Sequence, residues 1–285
     1  NGTILKNNVL IGGEMALADK TTNYSELPKY LHDYYKTSEP YKNIELLCTH
    51  EFVHTQQNEL THNLLSYCLY EGVAEFISTK VTGQASYTPA IEFGKANKEQ
   101  VIKKFEDDVF NDKNTYNWLW GQNKNALKVR DLGYYIGYSI CEKYYEMASN
   151  KKRAIKEMIE LDYNNETQLK AFIDTTKFLS VSIDSLYNRF EKNRPTIMEV
   201  SPIVNKSIKV KPGKQQITLS FSKPMNIETR GFDYGPLGEA YVMRVENVIG
   251  FTEDKKAFIF EVDLKTNQKY QTLVTNNFIS EDGFP

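Results

Sequence analysis

The sequence predicts an α+β chain in two parts: a mainly helical domain with a small edge sheet at residues 1–194, then an all-β sandwich at residues 195–285. Two observations predict this. Up to about Asn193 apolar residues recur at three-and-four spacing, the period of a helix with one buried face. After "NRPTIMEVSP" the period falls to two, and turn signals cut the chain into short runs. At 285 residues the chain can hold one large domain or two, with a sizeable core either way.

The opening "NVLIGGEMALAD" is an apolar run broken by Gly12 and Gly13, and it reads as the edge of a small sheet packed on the helices. Next come "YKNIELLCTHEFVHTQQ" and "THNLLSYCLYEGVAEFISTKV", two long stretches of helical period. "NKEQVIKKFEDDVF", "DLGYYIGYSICEKYYEMAS", "KRAIKEMIE" and "TQLKAFIDTTK" repeat the pattern. In the second half three runs alternate with polar residues: Ile208 and Val210; Ile217, Leu219 and Phe221; Phe258, Phe260, Val262 and Leu264. "KPGK", "TEDKK" and "KTNQK" supply the turns between them, and short strands at this spacing suit a sandwich. There are no internal repeats and no low-complexity segments.

Charged residues make up 25% of the chain and the net charge is −2, so nothing draws it toward nucleic acid or anionic membrane. No apolar run approaches the roughly 20 residues of a membrane span. The start at "NGTILKNN" without Met, and the end just after a turn signal in "ISEDGFP", are what a chain trimmed at both ends would show, a signal or anchor segment included. Cys48, Cys68 and Cys141 are odd in number and sit in helical apolar patterns, so they are expected to be buried free thiols.

Three of the four histidines, His50, His54 and His62, fall within thirteen residues. His50 and His54 are four apart, one turn above each other on a helix, where two imidazoles can share one tetrahedral zinc with Glu51 beside them to handle protons. A catalytic zinc needs a third protein ligand and an open position. His62 comes two residues too late for the pattern HExxH-x-x-G-x-x-H, in which Gln57 and Leu60 stand where glycine and histidine belong. It reads instead as an exposed histidine near a helix end, and His32 likewise lies outside any motif. A closed structural zinc site is disfavoured because such sites use mostly cysteines, and only Cys68 is within plausible reach.

HExxH followed by a glutamate on the next helix, here Glu71 in "YEGVAEF", resembles the gluzincin metallopeptidases. In aminopeptidase-like members the ligand glutamate stands directly before a glycine, as Glu71 does before Gly72. The resemblance covers little more than residues 44–76. It implies a zincin-like domain with Zn2+ on His50, His54 and Glu71. Glu75, one turn later, is placed to accept a hydrogen bond from a ligand histidine, and the two glutamates could trade roles. The sixteen residues between His54 and Glu71 are few for a gluzincin and require a tight loop, which "NELTHN" allows.

A zinc with two histidines and a carboxylate keeps a water whose pKa falls toward neutrality, and Glu51 can take its proton and deliver it to a leaving amine. This makes the expected activity hydrolysis of a peptide or protein substrate by metal-activated water. Endopeptidase, aminopeptidase and carboxypeptidase all stay open. An oxyanion donor is sought in "RDLGYYIGYSIC", where Gly133, Gly137 and Cys141 form a small-residue stripe suited to close helix approach. Arg130, Tyr134 and Tyr138 form the neighbouring stripe: either tyrosine can act as the catalytic donor, and Arg130 can hold substrate. Plain core packing is the default for each of the nineteen tyrosines, Tyr135 included. Gluzincins lay substrate along an edge strand, which would bring Gly12 and Gly13 to a substrate's backbone; the plain alternative is a strand that simply turns at its glycines.

"LSFSKPMN", "LKTNQKY" and "FISEDG" resemble the bacterial Ig-like domains appended to secreted and surface-layer proteins. The resemblance implies an exported protein (periplasmic, cell-surface or secreted), with a surface partner for the Ig-like domain. The competing reading is a catalytically retired zincin-fold protein that binds or adheres through that domain. Intact His50, Glu51, His54 and Glu71 argue against retirement.

Overall fold

The computed structural model describes residues 2–60, 62–121 and 127–285. The chain is mixed α and β and forms two compact units, Asn1–Tyr187 and Asn188–Pro285.

The first unit opens with an antiparallel hairpin of β1 (Gly2–Leu5) and β2 (Asn8–Ile11), in register from Gly2 opposite Ile11 to Leu5 opposite Asn8. The small sheet thus begins earlier than expected and ends before the glycines. Gly12 caps the short helix α1 (Gly13–Ala16) and Gly13 is its first residue, so neither belongs to a strand. Then come α2 (Lys29–Thr37), α3 (Ile44–His54) and α4 (Leu64–Thr82). After them follow α5 (Pro89–Ala96), α6 (Lys98–Asp108), α7 (Thr115–Leu119) and α8 (Leu132–Met147). The series closes with α9 (Lys151–Ile159), α10 (Glu166–Thr176) and α11 (Ile183–Asn193), the last crossing the division between the units. Among the described residues no helix is long and apolar enough to cross a membrane.

The ends of α4 follow from its sequence. Asn63 accepts a hydrogen bond from the Ser66 N–H at 2.9 Å and so caps an orphan donor of the first turn. Gly83, at φ 70°, ends the helix in the left-handed conformation that other residues resist. Between these caps α4 runs through the centre of the core, with Leu64, Leu69, Val73 and Phe76 fully buried.

Its main partner is α8, and here the expected small-residue stripe does what its spacing promised. A Cβ on Gly137 would land on the main-chain carbonyl of Cys68, and one on Gly72 would land on the main chain of Gly137 and Tyr138. Gly133 faces Leu119 and the Cys68 thiol. The two helices therefore touch backbone to backbone. Cys68 is buried in this seam and Cys141 is buried further along α8, whereas Cys48 is exposed on α3, contrary to expectation. Its neighbour Leu47 takes the inward position instead.

In the second unit β3 (Ile197–Ser201), β4 (Gly213–Phe221), β6 (Asn247–Phe251) and β7 (Ala257–Leu264) form a sheet of order β3-β4-β7-β6. β5 (Phe232–Asp233) and β8 (Leu273–Val274) make a separate antiparallel pair. The period-two residues of β4 and β7 form the core: Ile217, Leu219, Phe221, Phe258, Phe260, Val262 and Leu264 are all buried, with Met225 and Phe278. Ile208 and Val210 are not a strand. Ile208 is 95% exposed, because a two-residue alternation with no strand to pair with has nothing to hold it extended.

The α4–α8 seam gives the first prediction. Gly137→Ala forces a methyl into main-chain atoms that no side-chain rotation can move, so the chain should lose stability on the order of 3 kcal/mol by urea denaturation. Wild-type stability in this variant would mean the helices are not in direct contact.

Candidate metal centre

α3 and α4 lie side by side, and each turns one polar edge inward. From α3 come His50 and His54, from α4 Glu71 and Glu75. Among the described residues, His50, His54 and Glu71 are the group of potential ligands that could hold a metal ion. His50 Nε2 and His54 Nε2 are 3.1 Å apart. Glu71 Oε2 lies 3.3 Å from the first and 3.4 Å from the second.

What those atoms carry follows from the other side of each ring. The Nδ1–H of His50 donates to Glu75 Oε2 at 3.0 Å. Glu75 is held in turn, its Oε1 accepting from the hydroxyls of Ser86 and Thr88. The Nδ1–H of His54 donates to Gln57 Oε1 at 2.6 Å. With both protons on Nδ1, each Nε2 presents a lone pair, and Glu71 adds a carboxylate oxygen. Three electron-pair donors facing one point repel unless a cation or a proton lies among them. Two imidazoles and a carboxylate are also the donor set of a catalytic zinc, so the residues fit that ion.

The protonation of the pocket shows the same demand. Burial works to lower the pKa of His50, but hydrogen bonds and charge from Glu71 and Glu75 overcome it and raise it to about 10. Burial works to raise Glu71, yet the two histidines hold its carboxyl far below the usual carboxylate range. Glu51, beside His50 on α3 and itself buried, is raised chiefly by burial, with His50 and His54 pulling the other way. A carboxylate raised by burial is a better proton acceptor than an exposed one.

The remaining predicted residues divide. Tyr134, on α8, reaches the centre: its ring stacks beside His50 at 6.2 Å, and it lies close enough to Glu71 to feel its charge. Burial, then the charge of Glu71, pushes its phenol well above the ordinary range, so it stays a hydrogen-bond donor. Tyr138, one turn on, packs edge-on against Phe76 with the Lys95 ammonium over its ring, and is not brought to the triad. Tyr135 is core, against Phe178. Arg130 is not on the helical stripe at all. Asp131, at φ 63°, breaks the chain direction before α8 starts at Leu132. Arg130 instead donates to Asp131 at 3.0 Å and to the Trp120 carbonyl at 3.3 Å. His62 is bonded to the Tyr67 hydroxyl at 2.6 Å and His32 faces the Leu27 carbonyl, both apart from the triad. The loop expected at 58–63 falls between the end of α3 at His54 and the start of α4 at Leu64, with Thr61 outside the described residues.

Three participants were not foreseen. Tyr70 stacks on His54 with ring centres 4.3 Å apart. Gln57 touches His54. Gly2, rather than Gly12 or Gly13, brings the hairpin to the site: a Cβ there would come within 2.5 Å of the Glu51 side chain. Tyr70 and Gln57 had a signal in their positions, next to Glu71 and one turn past His54. Gly2 had none.

Helices that offer two histidines and a glutamate to one point present a donor set that suits a divalent metal ion. Residues 12–166, more than half of the chain, match the family described as predicted Zn-dependent protease (DUF2268), and the chain belongs to that family. No curated protein matches it. Among solved structures it is similar to surface layer protein SbsC, domains 1-6, with 12% identity over 91% of this chain and 36% of that one, TM-score 0.20. A second similarity is to the S-layer protein rSbsC(31-844), with 11% identity over 95% and 42% of the two chains, TM-score 0.20. The chain spans less than half the length of either, and likeness at this score defines neither its fold nor its function.

The raised pKa of His50 predicts a pH dependence. Its proton is held up to about pH 10 in the folded metal-free protein, against an ordinary 6.5. That contribution is therefore complete below pH 6.5 and drains away as pH rises through about 10. In chelator the urea midpoint should fall across this window. Saturating zinc, which binds the deprotonated imidazole, should remove the fall. A midpoint in chelator that is flat with pH would contradict the assignment.

Proposed function

We propose that the chain is a gluzincin-type peptidase that cleaves peptide bonds with zinc on His50, His54 and Glu71. One observation carries this: three electron-pair donors converge within 3.4 Å, while the outward nitrogen of each imidazole is already committed to an acceptor. Bound there, zinc supplies a Lewis acid and a water acidic enough to be used near neutral pH. The chain's own residues do the rest. Glu51 accepts the proton and passes it to the leaving amine. Glu75 orients His50, and Tyr134 offers a neutral hydroxyl to developing negative charge at the substrate carbonyl.

Zinc content and hydrolysis of a mixed peptide library, measured on four chains, test the reading. Wild type should hold one zinc and cleave, and His54→Ala should lose the metal. Glu51→Gln should keep the metal and lose about a hundredfold or more in turnover, because an amide cannot accept the proton. Tyr134→Phe should keep the metal and lose roughly a hundredfold, the usual effect of removing an oxyanion donor. Full zinc in His54→Ala would overturn the ligand set, and wild-type turnover in Glu51→Gln or Tyr134→Phe would remove that residue from the chemistry.

We further propose that residues 1–194 and 195–285 fold as separate domains, the second of the bacterial Ig-like kind. The change of period and the two separate cores support this. A chain ending at Asn193 keeps α11, whose Ile183 and Leu186 belong to the helical core. It should stay soluble and retain zinc. Aggregation of that chain, with the full-length protein well behaved, would refute the division.

A further inference from the structure

Gln57 lies outside α3, three residues beyond His54, on a strap that leads toward α4. A glutamine there has several rotamers and two amide orientations, yet every polar atom of this one is committed. Its Nε2 donates to the Tyr70 carbonyl and to the Tyr163 hydroxyl, each at 3.0 Å. Turning the amide over would set its oxygen against the Tyr70 carbonyl, acceptor against acceptor, and is disfavoured. Its Oε1 is thereby left facing His54 Nδ1 at 2.6 Å as an acceptor only. Asn58 ties the same strap down, donating to the carbonyls of Glu160 and Leu161 at 3.0 and 3.1 Å.

We infer that Gln57 is the positioning residue of His54: it keeps the imidazole in its Nδ1–H form and aims Nε2 at the metal position. The inference rests on the reading of His50, His54 and Glu71 as zinc ligands. Tyr70, stacked on the ring, limits its tilt, and Gln57 fixes its rotation and its proton. The two ligand histidines are thus served differently, His50 by a carboxylate and His54 by a neutral amide. The amide aims the ring without placing a further negative charge beside Glu71 and Glu75. Through Tyr163 the aim also depends on the segment following α9, more than a hundred residues along the chain.

Two variants of the full chain separate positioning from tethering. Gln57→Leu removes both the amide donor and the acceptor, whereas Gln57→Glu removes the donor and keeps an acceptor toward His54. Zinc affinity by competition with a chromophoric chelator should fall about 10- to 100-fold in Gln57→Leu and stay within about threefold of wild type in Gln57→Glu. The visible absorption of the cobalt-substituted protein should change in Gln57→Leu alone. Wild-type affinity in Gln57→Leu would overturn the inference. So would equal weakening in both variants, which would make Gln57 a tether of the strap and nothing more. A wild-type chain that binds no zinc would overturn the ligand reading and this inference together; wild-type binding with an unaffected Gln57→Leu would overturn only the inference.

Discussion

Where α4 crosses α8 there is no room for a side chain on either helix, and the placement of the site depends on this contact. Gly72 and Gly137 meet main chain to main chain, so the rotation of α4 about its own axis is set there. Glu71 is the residue just before Gly72 and Glu75 comes one turn later. Successive helical residues point about 100° apart, so once Gly72 faces α8, Glu71 is turned toward α3. The same contact places Tyr134, one turn before Gly137, beside Glu71. The Glu-Gly pair is therefore a geometric unit: the glycine lets α8 in, and that approach aims the glutamate.

The triad is expensive in itself. Glu71 and Glu75 bring two carboxylates into the protein beside two imidazoles, with few routes to water. A buried charge costs several kcal/mol unless it is paired and fully hydrogen-bonded. The network answers this group by group. Glu75 has three partners, His50 Nδ1 is bonded to one of its oxygens, and the amide of Gln57 is used at both ends. What stays unresolved within the protein is the mutual repulsion of two Nε2 lone pairs and a carboxylate oxygen. Only a proton or a cation relieves it, and the elevated pKa of His50 is the proton's share of that answer.

How far the sequence discloses this depends on distance along the chain. Helical spacing alone puts His50 above His54, Glu71 above Glu75, and Gly133 above Gly137, because each pair lies within one element of fixed pitch. The stripe containing Arg130 fails for a local reason: a left-handed residue at Asp131 stops the helix before it reaches Arg130, and an aspartate tolerates that conformation without requiring it. Tyr138 fails for a different one. It follows Gly137 directly, so the packing that brings Tyr134 to Glu71 turns Tyr138 toward Phe76. The alternation at Ile208 and Val210 is present in sequence but finds no partner strand. Contacts such as Gly2 on Glu51 or Gln57 on Tyr163 join distant segments, and no periodicity encodes them.

These contacts give the site two unlike walls. On one side α4 and α8 press together through buried apolar residues, and their geometry cannot change without breaking the core. On the other side a two-stranded hairpin packs on α3, with Leu5 and Leu10 of its outer face exposed. Two strands alone are marginally stable in water, so this wall relies on the helix beneath it. Glu51 lies at the boundary, carried by α3 and covered from the hairpin side at Gly2. Glu71, Glu75 and Tyr134 are thereby fixed to the rigid wall, and α3 carries the two histidines against it. The proposed proton acceptor is the one member whose burial, and with it the raised pKa that suits it to its task, depends on the weaker one.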